Sequence, residues 1–204
     1  YYTDSQQGIE GALPFAATWI FISTFILLFL FTGSVILPLK AIVLNVLSLG
    51  AVLGVLSYIF QNGHLMWLLG DYSVTGTIDT SSVVMIAVVA FGLSMDYELF
   101  LLSRIKEQHD AGMNTINSVA LGLQRSGRII TAAAVILAVT FGAFASSGVS
   151  IMKMLGFGIA LAILLDATIV RALLVPAIMR LLGSLNWWAP RFLKRFYEKA
   201  GLSH

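Results

Sequence analysis

The sequence predicts an all-α membrane protein built as a bundle of five transmembrane helices. Hydrophobic residues make up 58% of its 204 residues and charged residues only 11%, whereas a soluble domain carries about 25% charged residues. The apolar residues are also concentrated in five windows of the sequence. Each window has about 20 residues, which is the length that an α-helix needs to cross a bilayer. The chain has no cysteine, which excludes disulfides and thiolate metal sites.

The five predicted spans follow one another within residues 13–182. They cover about Leu13–Phe31, Leu39–Phe60, Ser82–Ser103, Ile129–Ala145 and Ile151–Leu174. Pro14 falls in the first turn of the first span, where the missing N–H is tolerated. Only residues 146–150 separate the last two spans, so these two helices are expected to be antiparallel neighbours.

Four segments lie outside the predicted spans. Residues 1–12 are expected to be an external leader that follows a missing domain, because the chain starts with neither an initiator Met nor a cationic signal. Residues 61–81 are expected to form an external interfacial hairpin. Residues 105–128 predict a cytoplasmic amphipathic helix, since apolar residues recur there at helical spacing. Residues 183–204 are expected to be a cytoplasmic basic tail.

Basic residues set the predicted orientation. The segment after the third span and the tail are rich in Lys and Arg, while residues 61–81 contain Asp71 and Asp79 and no Lys or Arg. The N-terminus is therefore predicted outside and the C-terminus in the cytoplasm of a plasma (inner) membrane. Because the basic residues cluster at span ends, they indicate membrane topology and argue against nucleic-acid binding.

Asp96 is the residue that points most directly to function. It lies in the third predicted span, eight residues before Arg104, or roughly 12 Å along a helix. A carboxylate near the bilayer centre costs roughly 2.5–3.5 kcal/mol. Such an acid binds an ion, carries a proton, or is held neutral by a hydrogen bond inside the bundle. Its carboxyl is expected to be buried among apolar side chains and to find its partner on another helix. The adjacent Tyr97 offers a phenol to a partner carboxyl.

Further residues of the third span are expected to support this site. Glu98 points about 200° away from Asp96 around a helix, and it is expected to reach either Arg104 or a base of another helix. Phe100 either closes one side of an aqueous pocket or packs in the core. A pocket for a substrate or inhibitor beside Asp96 and Tyr97 is expected from Gly92, Leu93, Ser94 and Phe100.

The fifth span carries a second charged pair, Asp166 and Arg171. Five positions place these residues about 140° apart around a regular α-helix, which makes a direct pair awkward. They are expected either to hold helix packing or to support proton access. Asp96 and Asp166 together also suggest an intramembrane aspartyl protease, whose two acids share a proton at about 3 Å. Residues 92–96 lack the Gly-x-Gly-Asp form of such proteases.

One motif resembles the central motif of the MMPL (mycobacterial membrane protein large) transporters of the resistance-nodulation-division superfamily. It runs Gly92-Leu-Ser-Met-Asp-Tyr-Glu-Leu-Phe-Leu-Leu-Ser-Arg104. Further stretches agree with the same family: Gly127-Arg-Ile-Ile-Thr-Ala-Ala-Ala134, Leu165-Asp-Ala-Thr-Ile-Val-Arg171, Leu174-Val-Pro-Ala177 and Trp187-Trp-Ala-Pro-Arg191. The resemblance is strong over about residues 85–192 and rests on hydropathy alone over residues 13–60.

The resemblance implies that the chain is the last five spans of a twelve-span resistance-nodulation-division-type fold. Asp96 and Tyr97 would then be one half of a transmembrane proton relay, and the missing N-terminal half would supply a second Asp-Tyr pair and the porter domains. The implied activity is proton-driven export of lipids or other amphiphilic substrates in a bacterial membrane. Protons would be the coupling ion, with no cofactor and no metal, and membrane lipids would be partners. The resemblance leaves open whether the protein forms an oligomer.

A lipid- or sterol-sensing membrane bundle without transport is the alternative, since it shares the membrane architecture of this superfamily. Such a bundle would not need a proton-linked Asp96. The dependence of activity on the proton gradient separates the two functions.

Overall fold

A computed structural model describes residues 2–63, 80–193 and Tyr197, with the backbone alone for residues 2–10 and Ala12. Most of these residues are helical, and none of them forms a β-strand. Five helical segments of the chain are long and apolar enough to cross a membrane. The predicted all-α membrane protein with five spans is therefore confirmed. Most of the expected external hairpin and nearly half of the basic tail lie outside the described residues.

The helices are numbered in chain order. They are α1 (Tyr2–Thr32), α2 (Ile36–Leu56), α3 (Thr80–Asp110), α4 (Thr115–Phe144), α5 (Ser150–Leu165) and α6 (Val175–Leu182). Two π-helical segments interrupt the α-helical pattern, Ser57–Gln61 after α2 and Asp166–Leu174 between α5 and α6. A 3₁₀ turn, Gly183–Trp187, follows α6.

The first helix begins earlier than the first predicted span. α1 starts at Tyr2, so the expected leader of residues 1–12 continues the span as helix where it is described. Pro14 consequently lies inside the helix and not in its first turn, where it removes one main-chain hydrogen bond. Thr18 donates its hydroxyl to the carbonyl of Pro14 at 2.7 Å.

Residues 105–128 do not form the single amphipathic helix that their periodicity predicted. They comprise the end of α3, a short turn and the start of α4. Gly112 breaks the helix with a φ of 94°, a left-handed conformation that favours glycine. Asn114 then caps α4, since its side-chain oxygen accepts a hydrogen bond from the Asn117 N–H at 2.8 Å.

The helices divide into two compact units. Unit one comprises Tyr1–Leu44, Tyr97–Ser126 and Leu174–His204, and unit two comprises Asn45–Asp96 and Gly127–Leu173. α3 contributes to both, since its first part up to Asp96 belongs to unit two and its remainder to unit one.

Unit two is built on an apolar core with close helix contacts. Its buried core residues are Val52, Leu56, Ile59, Phe60, Ile86, Ala90, Ala134, Met154, Ile159, Ala162 and Ile163. A Cβ at Gly156 would lie 2.5 Å from the main-chain oxygen of Phe141, so this glycine lets α5 pack closely on α4. The expected proximity of the last two spans follows from this contact.

Unit one fixes the segment after α6 through specific polar contacts. The Ser34 hydroxyl donates to the main-chain oxygen of Asn186 at 2.5 Å. The fully buried Asn186 side chain donates in turn to the Met179 carbonyl at 2.7 Å. Trp187 stacks on His109 with 4.0 Å between ring centroids. The start of the expected tail is therefore a packed part of unit one.

A candidate functional site on α3

α3 has two faces that differ in burial and in chemistry. Residues four positions apart are buried against the protein, namely Ser82, Ile86, Ala90, Ser94 and Glu98. Another set is exposed, namely Met85, Val88, Gly92, Asp96 and Leu99. Both spacings follow the 3.6-residue helical repeat, so each set forms a stripe along the helix. We call the second set the exposed stripe of α3.

Asp96 is the one charged residue of the exposed stripe. Its side chain makes no hydrogen bond or ion pair with any residue that the structure describes. The expectation that its carboxyl is buried is therefore wrong for this chain taken by itself. Tyr97, the next residue, is half-buried.

The buried face of α3 carries a second polar site, formed with the π-helix that follows α5. The Ser94 hydroxyl donates to Oδ1 of Asp166 at 2.7 Å, and Oδ2 of Asp166 lies 2.6 Å from Nη2 of Arg171. Arg171 also donates to both the main-chain oxygen and the hydroxyl of Ser94. All three residues are buried, and only 1% of Arg171 is exposed. We call them the Ser94–Asp166–Arg171 cluster.

The direct Asp166–Arg171 ion pair corrects the expectation drawn from a regular α-helix. Both residues lie in a π-helix, Asp166–Leu174, which begins at Asp166 and continues for three residues beyond Arg171. Because a π-helix bonds each residue to the fifth one along, positions five apart come close to one face. The sequence offers no clear sign of this change of winding. π-Helical turns are frequent at functional sites.

Glu98 lies on the buried face of α3, and in the described part of the chain it forms no ion pair or hydrogen bond with Arg104 or with a base of another helix. It is 3% exposed and interacts electrostatically with Lys40 of α2, which is 7% exposed. The Lys40 Nζ and the Glu98 Oε1 are both buried without a hydrogen-bond partner in the described part of the chain. Arg104, the other expected partner, pairs with Glu107 at 3.1 Å.

Lys40 is the charged residue that the sequence reasoning missed. It stands at the very start of the second predicted span, yet α2 begins at Ile36 and places Lys40 inside the helix. The apolar residues on both sides of Lys40 were the available signal. A Lys at the start of an apolar run need not lie outside the membrane helix.

We expect Lys40 and Glu98 to be strongly coupled in stability. Changing Lys40→Met or Glu98→Gln alone leaves one buried charge uncompensated, which costs about 3–5 kcal/mol. The double variant Lys40→Met/Glu98→Gln should lose much less than the sum of the two single losses. Thermal unfolding of the full-length protein in detergent checks this. Additive losses would show that the two groups do not interact.

The four residues expected to line a pocket beside the relay lie in different environments. Gly92 is on the exposed stripe, and a Cβ added there would meet no atom within 4 Å. Leu93 packs against the core of unit two, and Ser94 belongs to the buried cluster. The Phe100 ring lies 5.5 Å below the Arg104 guanidinium carbon. Of these four residues, only Gly92 borders open space on the face of α3 that carries Asp96.

Comparison with known proteins identifies the family of the chain. The family model described as the MMPL family matches residues 1–200. The chain is 46% identical over 98% of its length to a putative membrane protein of Streptomyces coelicolor, of which it covers 28%. It is 45% identical over 98% of its length to the trehalose monomycolate exporter MmpL3 of Mycolicibacterium smegmatis, of which it covers 19%.

A third relative is the mycolic acid-containing lipids exporter MmpL11 of Mycolicibacterium smegmatis. It is 36% identical over 94% of this chain, which covers 20% of that protein. The chain thus spans between about a fifth and somewhat over a quarter of the length of these relatives. With the family model matched over nearly its whole length, the chain belongs to the MMPL family of resistance-nodulation-division-type membrane proteins.

Proposed function

We propose that this chain supplies half of the transmembrane proton relay of an exporter that moves lipids or other amphiphiles with the proton-motive force. Asp96 is the proton-carrying group and Tyr97 its hydrogen-bonding companion. The exporters among the relatives support the transport class and a lipid-like substrate. The rest of a larger protein supplies the second Asp-Tyr pair and the substrate-binding domains.

The observation that carries this proposal is the exposed carboxylate on an otherwise apolar stripe. Met85, Val88 and Leu99 give this face of α3 the character of a membrane-embedded surface. If lipid covered the stripe, the Asp96 charge would cost roughly 2.5–3.5 kcal/mol. A polar partner from another part of the full-length protein removes that cost. When such a carboxyl binds a proton, it loses its charge and needs the partner less, so proton binding can change the contact between them.

The mechanism follows from the chemistry of one carboxyl. Charged Asp96 needs hydrogen-bond donors in a low-dielectric surrounding, and neutral Asp96 needs them much less. Proton binding therefore releases the helix contacts that satisfy the charge, and proton loss restores them. Movement of one charge through the membrane field supplies ~2.3 kcal/mol per 100 mV. The alternation of contacts couples this energy to the external domains that move the substrate.

The Ser94–Asp166–Arg171 cluster supports the relay by position. Arg171 donates to the main-chain oxygen of Ser94, two residues before Asp96 on the same helix. This contact holds the backbone of α3 beside the relay residue. Both carboxylate oxygens of Asp166 are engaged, one by Ser94 and one by Arg171. Asp166 is therefore not poised to share a proton with Asp96 in the way that an aspartyl protease requires.

We expect Tyr97→Phe to slow proton-driven transport severely, although it removes one oxygen and almost no volume. Loss of a buried hydrogen bond costs about 1–3 kcal/mol, which moves the pH profile of a coupled step by roughly one to two pH units. The measurement is the pH profile of lipid export by the full-length protein at matched protein levels. Tyr58→Phe, at a 55% exposed tyrosine, is the matched control. An unchanged profile and rate would assign Tyr97 to packing.

The proposed orientation places the N-terminus of this chain outside and the turn between α3 and α4 in the cytoplasm. We expect a membrane-impermeant thiol reagent to label a Cys placed at Ser73 in intact cells. A Cys at Asn114, which is exposed in the α3–α4 turn, should stay unlabelled until the cells are opened. The full-length protein must carry no other reactive cysteine. The reverse pattern would overturn the orientation and the inward direction of proton flow.

A further inference from the structure

Unit two contains a small, partly open cavity beside the Ser94–Asp166–Arg171 cluster. Residues of α2, α3 and the α5 segment line it, namely Asn45, Ser48, Leu49, Ala90, Phe91, Ser94, Ala162 and Asp166. The space open to the centre of a water molecule is about 10 Å³. That is close to the smallest cavity that holds one water molecule.

Asn45 is the residue that makes this cavity more than a packing gap. It is 7% exposed, and its side-chain amide makes no hydrogen bond with any residue that the structure describes. A buried amide without a partner is unfavourable, so nearly all such groups in folded proteins are bonded to protein or to ordered water. Asn45 and the Asp166 carboxylate both border the same cavity.

The polar groups around the cavity match the needs of one water molecule. A buried water makes two to four hydrogen bonds. The Asn45 amide can donate to its oxygen, and the water can donate to the Asp166 carboxylate. The Ser48 hydroxyl provides a third partner at the wall. Three polar partners from two helical segments are therefore within one small space.

Size and charge exclude other occupants. The space is too small for an organic ligand or a lipid headgroup. Among the described residues Asp166 is the only carboxylate at the wall, and Arg171 at 2.6 Å already balances its charge. A cation would find no uncompensated negative charge there. A neutral molecule of water size fits both the volume and the electrostatics.

We propose that this cavity is a binding site for a single water molecule that bridges Asn45 of α2 to Asp166. The bridge joins α2 to the Ser94–Asp166–Arg171 cluster through a neutral polar link. This site is independent of the proposed proton relay, since it uses neither Asp96 nor Tyr97.

A high-resolution cryo-electron microscopy map of the full-length protein in lipid nanodiscs tests the site directly. We expect a density peak within hydrogen-bond distance of both the Asn45 amide and the Asp166 carboxylate. An apolar side chain of similar size, Asn45→Leu, should remove the peak, while Asn117→Leu at an exposed position of α4 should leave it. Failure to find the peak in a wild-type map that shows other buried waters would overturn the proposal. So would a direct Asn45–Asp166 hydrogen bond.

Radiolytic hydroxyl labelling gives a second readout that does not require a map. A water fixed in the cavity should yield rapid labelling of the lining residue Phe91 in the wild type. The cavity-filling change Ala162→Val should abolish this labelling, and Asn45→Leu should abolish it too. If one of these variants fails to fold, the other still provides the test. Equal labelling of Phe91 in wild type and in a folded variant would contradict a bound water.

Discussion

Asp96→Asn is expected to abolish proton-driven export while leaving folding and membrane insertion close to normal. The amide keeps the shape of the side chain but cannot take up and release a proton. Because Asp96 lies on the exposed stripe and contacts no described partner, the change disturbs no packing within this chain. The measurement is export of a labelled lipid by cells that carry the full-length variant, with protein level and thermal stability measured in parallel.

Asp110→Asn is the matched control for this variant. Asp110 lies at the end of the same helix, where it pairs with Lys106 at 2.6 Å with 43% of its side chain exposed. Such exposed pairs contribute about 0–1 kcal/mol, so its loss should leave export intact. Wild-type export by Asp96→Asn at normal expression would remove Asp96 from the relay. Loss of export by both variants would point to a general need for acidic residues on α3.

Arg171→Met is expected to destabilise the protein more than any other single change considered for this chain. It leaves the Asp166 carboxylate buried without its counter-charge, a loss of about 3–5 kcal/mol. It also removes the hydrogen bonds that Arg171 donates to Ser94. Thermal unfolding of the full-length protein in detergent should therefore show a large fall in midpoint, together with low expression.

Two further variants separate the ion pair from the general effect of losing an arginine. The double change Asp166→Asn/Arg171→Met removes both charges and should recover part of the lost stability, because no buried charge remains unpaired. Arg104→Met removes an arginine whose side chain is 46% exposed and should cost at most about 1 kcal/mol. A double variant as unstable as Arg171→Met would show that the charge imbalance is not the cause.

The sequence was sufficient to predict the spans because their signal is local. A window of about 20 apolar residues indicates directly that the helix is surrounded by the bilayer. The position of Asp96 in such a window also identified the residue of greatest interest. The faces of α3 were harder to predict, since burial depends on which other helices pack there. Both Ser94 and Asp96 are polar residues of the same span, yet only Ser94 is buried in this chain.

The Asp166–Arg171 pair shows a different limit of sequence reasoning. Angular positions were calculated for a regular α-helix, and the chain adopts a π-helix over Asp166–Leu174. The choice between these windings depends on tertiary contacts of the segment, and local sequence does not reveal those. The electrostatic influence of Glu98 on Lys40 was not predicted for a related reason, because the two residues are far apart in sequence and come near each other only in the folded unit.

The most direct test of the proposed relay is proton flux through the purified full-length protein. The protein is reconstituted in liposomes that contain a pH-sensitive dye, and a pH gradient and membrane potential are imposed. Wild type and Asp110→Asn should dissipate the pH gradient at similar rates, and Asp96→Asn should not exceed protein-free liposomes. Proton flux at the wild-type rate through Asp96→Asn would contradict the assignment of Asp96 as the proton carrier.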